Sequence, residues 1–261
     1  MRFDIDRYLG MVQRLDETGL DYDHFRTAPL DADTLRCLRY MHDVEHHTAC
    51  YLRDLLVTPA HEEPEVTSFL SMWVYEEFWH GEAIGKVLAA HDDMSGRERV
   101  SLVRRRVGRD RLRTLGFMAI SGVTDHVVTI AMTWGAVNEW TTQAGYLRLA
   151  QRSGDPVLAD LCRRIAKQEG RHIDFYASQA ERRLTDRPQA QRIVRWALEH
   201  KWAPVGSNIM PPGETEHLVT TLFSGPDGRK MADRLDRRIE RLPGLGGLGL
   251  ISGVRHELAA A

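Results

Sequence analysis

The stretch Trp73-Val-Tyr-Glu-Glu77-Phe-Trp-His80-Gly81 decides the fold, because it sets a carboxylate and an imidazole three residues apart inside an apolar-rich run. On a helix, positions three apart share a face, so Glu77 and His80 aim at one point. A second pair, Glu169-Gly-Arg-His172, repeats the arrangement. Each pair follows a lone glutamate at nearly the same interval: Glu45 lies 32 residues before Glu77, and Glu139 lies 30 before Glu169. If all four segments are helices of one bundle, four carboxylates and two imidazoles converge. Carboxylate oxygen with imidazole nitrogen suits iron or manganese better than it suits the metals that prefer thiolate.

Six such ligands are the set that ferritin-like di-metal carboxylate bundles use. The pair motif alone is weak, since a third example exists at Glu214-Thr-Glu-His217. That one follows Pro211-Pro212-Gly213 and reads as a loop entering a helix, where acidic residues suit the first turn. Leu184 and Arg182 occupy the places 30 and 32 residues upstream, so it lacks the lone glutamate and is read as a decoy.

Composition sets the outer bounds. A chain of 261 residues, 43% hydrophobic, can bury a large core as one long domain. A net charge of −2 argues against bulk nucleic-acid binding. Cys37, Cys50 and Cys162 are odd in number and show no Cys-x-x-Cys spacing, which fits a reducing compartment rather than a disulfide or zinc framework. The N-terminus lacks the apolar stretch of a signal peptide, and no run of 18 apolar residues offers a membrane span. The expectation is a cytoplasmic protein.

Along the chain the patterns are helical and no period-two stretch predicts a sheet. Residues 4–19 read as a short amphipathic helix. Helices are then expected over 31–57, 64–91, 114–152, 156–184, 187–202 and 227–242, with Pro64 and Pro156 at two starts. The fold class predicted is all-α: a ferritin-like four-helix bundle with additional peripheral helices. Its parts are an N-terminal segment, 1–30, packed on the bundle, a helical domain, 31–242, and a Gly-rich tail, 243–261. The tail lacks the strand-then-helix context and the Gly-Lys-Ser/Thr of a phosphate loop, and reads as flexible or extended.

Each ligand has a plainer reading beside it. Glu45 lies among His42, Asp43, His46 and His47, which form either a polar face or a set of rival ligands. Glu139 stands in a mostly apolar stretch, where a lone charge asks for a partner and metal ligation supplies one. Glu76 points about 100° away from Glu77, so one of the two ligates and the other supports it or faces solvent. Trp73, one turn before Glu77, reads as core.

The first of these segments resembles the Trp-x-x-Glu-Glu-x-x-His-Gly motif of the soluble acyl-carrier-protein desaturases. Glu139-Trp-Thr-Thr142, Gly154-Asp155 and Glu169-Gly-Arg-His172 with Tyr176 are similar to that family's second ligand-helix pair. The resemblance spans roughly residues 31–213. It implies a centre of two iron ions, manganese being the other fitting metal, on Glu45, Glu77, His80, Glu139, Glu169 and His172. It also implies that Thr142, which shares a face with Glu139, lines the oxygen-binding side and assists proton delivery. Threonine can instead bond a carbonyl one turn back. The expected reaction is O2-dependent oxidation of a C–H bond in a fatty-acyl or similar apolar substrate, by desaturation or hydroxylation. The family's partners are an acyl-carrier substrate and a ferredoxin-type electron donor, and it forms homodimers.

Two departures stand out. Gln168 occupies the place where the family has Asp before the second Glu-x-x-His, altering the group that orients a ligand histidine. The chain is also compact for the family, which leaves room for a di-iron oxygenase tailoring a small-molecule metabolite by hydroxylation or N-oxygenation. A ferritin- or rubrerythrin-like iron- or peroxide-handling protein would use the same ligands without an organic substrate. A helical binding module with solvated glutamates is the non-enzymatic reading. Residues 97–113 hold eight arginines, and read either as a docking face for an acidic partner or as a salt-bridged helix face.

Overall fold

A computed structural model describes residues 3–107, 126–211 and 213–254, and the described residues contain helices and no strand. Four helices dominate: α3 (Ala32–Leu56), α4 (Pro64–Ala90), α6 (Val127–Arg152) and α7 (Pro156–Leu184). Around them lie α1 (Ile5–Leu9), α2 (His24–Thr27), α5 (Gly96–Arg106), α8 (Pro188–Lys201), α9 (Glu214–Phe223) and α10 (Gly225–Ile239).

The long helices start where local chemistry satisfies their first N–H groups. Asp31 Oδ1 accepts from Thr34 N at 2.8 Å and Asp155 Oδ1 accepts from Leu158 N at 2.8 Å. Pro64 and Pro156 occupy first-turn positions, where a missing N–H costs nothing. Short links join α3 to α4 and α6 to α7, and each pair packs along its length as an antiparallel hairpin. The passage from α4 to α6 carries α5.

An aromatic wall closes one side. Phe69 of α4 stacks on Phe175 of α7 at 3.7 Å between centroids, with Tyr176 and Tyr8 edge-on or tilted against Phe69. Gly135 lets α6 approach this wall, because a Cβ there would fall 2.4 Å from the Tyr176 ring.

Two expectations need correction. The helix expected over 4–19 ends at Leu9, where Gly10 caps it, and residues 12–17 are irregular. The Gly-rich tail is not extended as far as residue 254. Leu245 is fully buried, and Ile251 N and Ser252 N donate to Asp236 at 2.7 and 3.0 Å. The arginine segment follows its salt-bridged reading in part: Arg99 makes a bidentate pair with Asp43 at 2.6 and 2.8 Å, and Arg104 donates to His46 O at 3.2 Å. Its residues 108–113, like the expected helix start at 114–125, lie outside the described residues.

Candidate metal centre

Each of the four long helices contributes to one buried cluster. Glu45 comes from α3, Glu77 and His80 from α4, Glu139 from α6, Glu169 and His172 from α7. None of the six is more than 5% exposed. They form two overlapping groups: Glu45, Glu77, His80 and Glu169, and Glu77, Glu139, Glu169 and His172. Within each, one ligand atom per residue lies within 4.8 Å of the others. Glu77 and Glu169 belong to both groups, whereas Glu45 and His80 belong to one and Glu139 and His172 to the other.

Both imidazoles turn Nδ1 inward. His80 Nδ1 lies 3.2 Å from Glu77 Oε2 and 3.3 Å from Glu169 Oε1. His172 Nδ1 lies 2.9 Å from Glu169 Oε2 and 3.2 Å from Glu77 Oε1. Their outer nitrogens are held crosswise: the residue preceding each ligand glutamate bonds the histidine of the other pair. Glu76 Oε2 meets His172 Nε2 at 3.0 Å, and Gln168 Oε1 meets His80 Nε2 at 2.9 Å. Such outer partners fix the ring orientation and the tautomer of a metal-binding histidine.

Without a cation, so much buried negative charge must be offset by protons. Burial, then the neighbouring Glu77, pushes Glu45 well above the usual carboxylate range; burial and Glu169 do the same to Glu139. Burial would also raise Glu77 and Glu169, but hydrogen bonds, from Glu45 and both imidazoles to Glu77 and from the two imidazoles to Glu169, hold both low. Burial opposes a charge on His80, yet Glu169 and Glu77 raise it to about 10. His172 is raised likewise by Glu139, Glu169, Glu76 and Glu77 against its burial. These are the marks of a pocket built around positive charge. The donor set fits two hard or borderline divalent ions.

The rival groups fall elsewhere. His42 bonds Asp43 and accepts from Gly96 N at 3.2 Å, and His46 faces Glu82 at 3.6 Å; neither joins the two candidate groups. Glu214 forks onto Arg36 at 2.9 and 3.0 Å, and His217 lies 3.7 Å from Asp33, which leaves the third Glu-x-x-His as surface chemistry. Trp73 packs edge-on to Tyr176, as core. Glu76 is fully buried, so the supporting role is the one it takes.

Sequence reading missed Tyr146, which donates its hydroxyl to Glu45 Oε1. Its position seven residues after Glu139, two turns along the same face of α6, was the available signal. It also missed the N-terminal contributions: Tyr8 donates to Glu76 Oε2 at 3.1 Å, and Gln13 O accepts from Gln168 Nε2 at 3.2 Å. Thr142 does not sit among the six. It lines an apolar cavity whose wall includes Met41, Val44, Leu222 and Ile251, and which reaches the centre at Glu45 and Tyr146. Among the described residues no carbonyl accepts from the Thr142 hydroxyl, whereas Thr141 bonds back to Asn138 O at 2.8 Å.

Comparison with known proteins converges on the same segments. The family model "Fatty acid desaturase" matches residues 57–200, which include both Glu-x-x-His pairs, Glu139 and Thr142. Stearoyl-[acyl-carrier-protein] 9-desaturase 1, chloroplastic, from Oryza sativa subsp. indica is 26% identical over 152 residues, and so is its counterpart from subsp. japonica. The alignment covers 56% of this chain and 37% of each rice protein, so the chain spans well under half the length of these relatives. With more than half of its length matched by the family model, the chain belongs to the fatty acid desaturase family.

Proposed function

We propose that this chain is a non-haem di-iron oxidoreductase that uses O2 to oxidise a C–H bond of a fatty-acyl or similar apolar substrate. The observation that carries it is the pair of overlapping carboxylate–histidine groups sharing Glu77 and Glu169. Two iron ions held there, each within reach of one histidine and one terminal glutamate, would supply the redox chemistry that breaks an unactivated C–H bond. Manganese fits the same donors.

The protein's own part can be assigned residue by residue. Glu76 and Gln168 keep the two Nδ1 atoms facing inward. The aromatic wall of Phe69, Phe175 and Tyr176 excludes water from one side. The apolar cavity, whose wall includes Glu45, receives a hydrocarbon portion of the substrate, and the Thr142 hydroxyl on the same wall passes a proton. Desaturation balances when two hydrogens leave adjacent carbons and O2 becomes two waters, using two donor electrons and two protons. A ferredoxin-type donor and a homodimeric assembly are proposed on the family resemblance.

The cavity favours an organic substrate over a purely iron- or peroxide-handling role, which needs no apolar chamber beside a ligand. The test loads the protein with Fe2+, supplies a reductant and a ferredoxin, and compares acyl-carrier-bound, free fatty and small-molecule candidates. About two irons per chain, substrate-dependent oxygen uptake and an unsaturated or hydroxylated product by mass spectrometry are expected. Iron bound with oxygen uptake indifferent to every apolar substrate would overturn the proposal.

A further inference from the structure

The two ends of the centre differ in what stands behind each histidine. His172 is backed by the Glu76 carboxylate, a group with lone pairs only, so His172 Nε2 donates to it. His80 is backed by an amide. The orientation of that amide follows from its other partner: Gln13 O can only accept, so the Gln168 NH2 faces it at 3.2 Å and Oε1 faces His80. Nε2 therefore donates in both rings, which leaves Nδ1 to a metal once the metal displaces the Nδ1 proton, but only one of the rings leans on a carboxylate.

A carboxylate accepting the imidazole N–H raises the basicity of the ring's other nitrogen more than a neutral carbonyl does. Glu76 is fixed for this task, with Tyr8 OH at 3.1 Å, Gln13 N at 3.4 Å and Arg171 Nη2 at 2.5 Å. Arg171 takes Oε1 while His172 takes Oε2, so the arginine anchors the carboxylate without displacing the histidine. A second observation points the same way. Tyr146 donates to Glu45 Oε1 at the His80 end, occupying a lone pair of that terminal ligand and weakening it as a donor.

Resting on the di-metal reading above, we infer that the two metal positions are unequal: the Glu139–His172 position binds more tightly and fills first, the Glu45–His80 position second. Replacing the outer partner of a metal-binding histidine typically changes affinity about 10–100-fold, which sets the expected gap.

The experiment titrates the metal-free full chain with Co2+, followed by calorimetry and by visible absorption. Two steps separated by about one to two orders of magnitude in Kd are expected. Glu139→Ala should remove the tighter step and Glu45→Ala the weaker. Glu76→Gln makes both histidines amide-backed and should draw the steps together. Because that change leaves Arg171 without its carboxylate and can cost folding, Gln168→Asp is the complementary variant, and it should narrow the gap by tightening the weaker step. Two equal steps in the unaltered protein, loss of the tighter step in Glu45→Ala, or an unchanged gap in Gln168→Asp would each overturn the inference. Absence of any Co2+ uptake would overturn the metal centre itself and this inference with it.

Discussion

Tyr146 of α6 donates its hydroxyl to Glu45 Oε1 of α3, joining the first predicted ligand to a fully buried tyrosine that lies two turns from Glu139. Burial, then the charges of Glu45 and Glu169, keep this phenol protonated far above its ordinary range, so it acts as a fixed donor. In Tyr146→Phe the buried carboxylate oxygen loses that donor, which costs about 1–3 kcal/mol in the metal-free protein. Urea unfolding should register the loss, and metal binding at the Glu45 end should tighten, because Glu45 regains the lone pair that the phenol occupied. Unchanged stability in the metal-free form would show that Glu45 finds another partner.

The ligands themselves give the sharpest separation of site from scaffold. Glu77→Ala and His172→Ala are expected to lower bound iron and abolish turnover while helix content by circular dichroism stays near that of the parent. The core that holds the helices consists of other side chains, such as Leu38, Phe69, Ile84 and Leu149. His217→Ala, at the surface pair beside Asp33, should leave iron unchanged. Full iron in both ligand variants would remove the site assignment.

How much of this was legible in the sequence follows from range. Glu77–His80 and Glu169–His172 are i, i+3 relations, which helical geometry fixes locally, and the lone glutamates followed from repeated spacing. Glu76 was ambiguous because a 100° offset leads either to solvent or to a neighbouring helix, and only packing decides. Tyr8 and Gln13 were not legible. Their roles require residues 12–17 to leave the helix that periodicity suggested, so that Gln13 N and O are free to meet Glu76 and Gln168. Gln168 was visible as a departure, but its partner, His80 on another helix, was not.

Protonation gives a prediction with a sign. His80 is raised from its ordinary range to about 10, so its contribution to folding is complete below about 6.5 and is lost as pH climbs through 10. Glu45 and Glu139, also raised, change stability in the same direction; Glu77 and Glu169, held low, are ionised in both folded and unfolded chains over that window and add nothing. The metal-free protein should therefore lose thermal stability between pH 6.5 and 10. The metal-loaded protein should lose much less, because bound cations replace the protons, and metal uptake at neutral pH should release protons into a weakly buffered solution. A metal-free Tm that is flat or rises over this range would contradict the assignment of protons to the cluster.

Thr142 separates chemistry from binding. It sits one turn beyond Glu139 on α6, lines the apolar cavity together with Glu45 and Tyr146, and keeps its hydroxyl off the helix backbone that Thr141 uses. Thr142→Val is nearly isosteric and removes only the hydroxyl, so fold, iron content and cavity shape should persist. If that hydroxyl passes a proton from the cavity wall, its loss should slow substrate oxidation by about 10²–10⁴-fold, the usual worth of positioned acid help, or divert oxygen to released peroxide. The measurement is product formed per oxygen consumed, with iron content and circular dichroism checked in the same preparations. A serine at 142 should restore coupling, since it returns the hydroxyl to the same face. Rate and coupling both unchanged in Thr142→Val would leave the residue as part of the cavity wall and move proton delivery to another group on that wall, such as Tyr146.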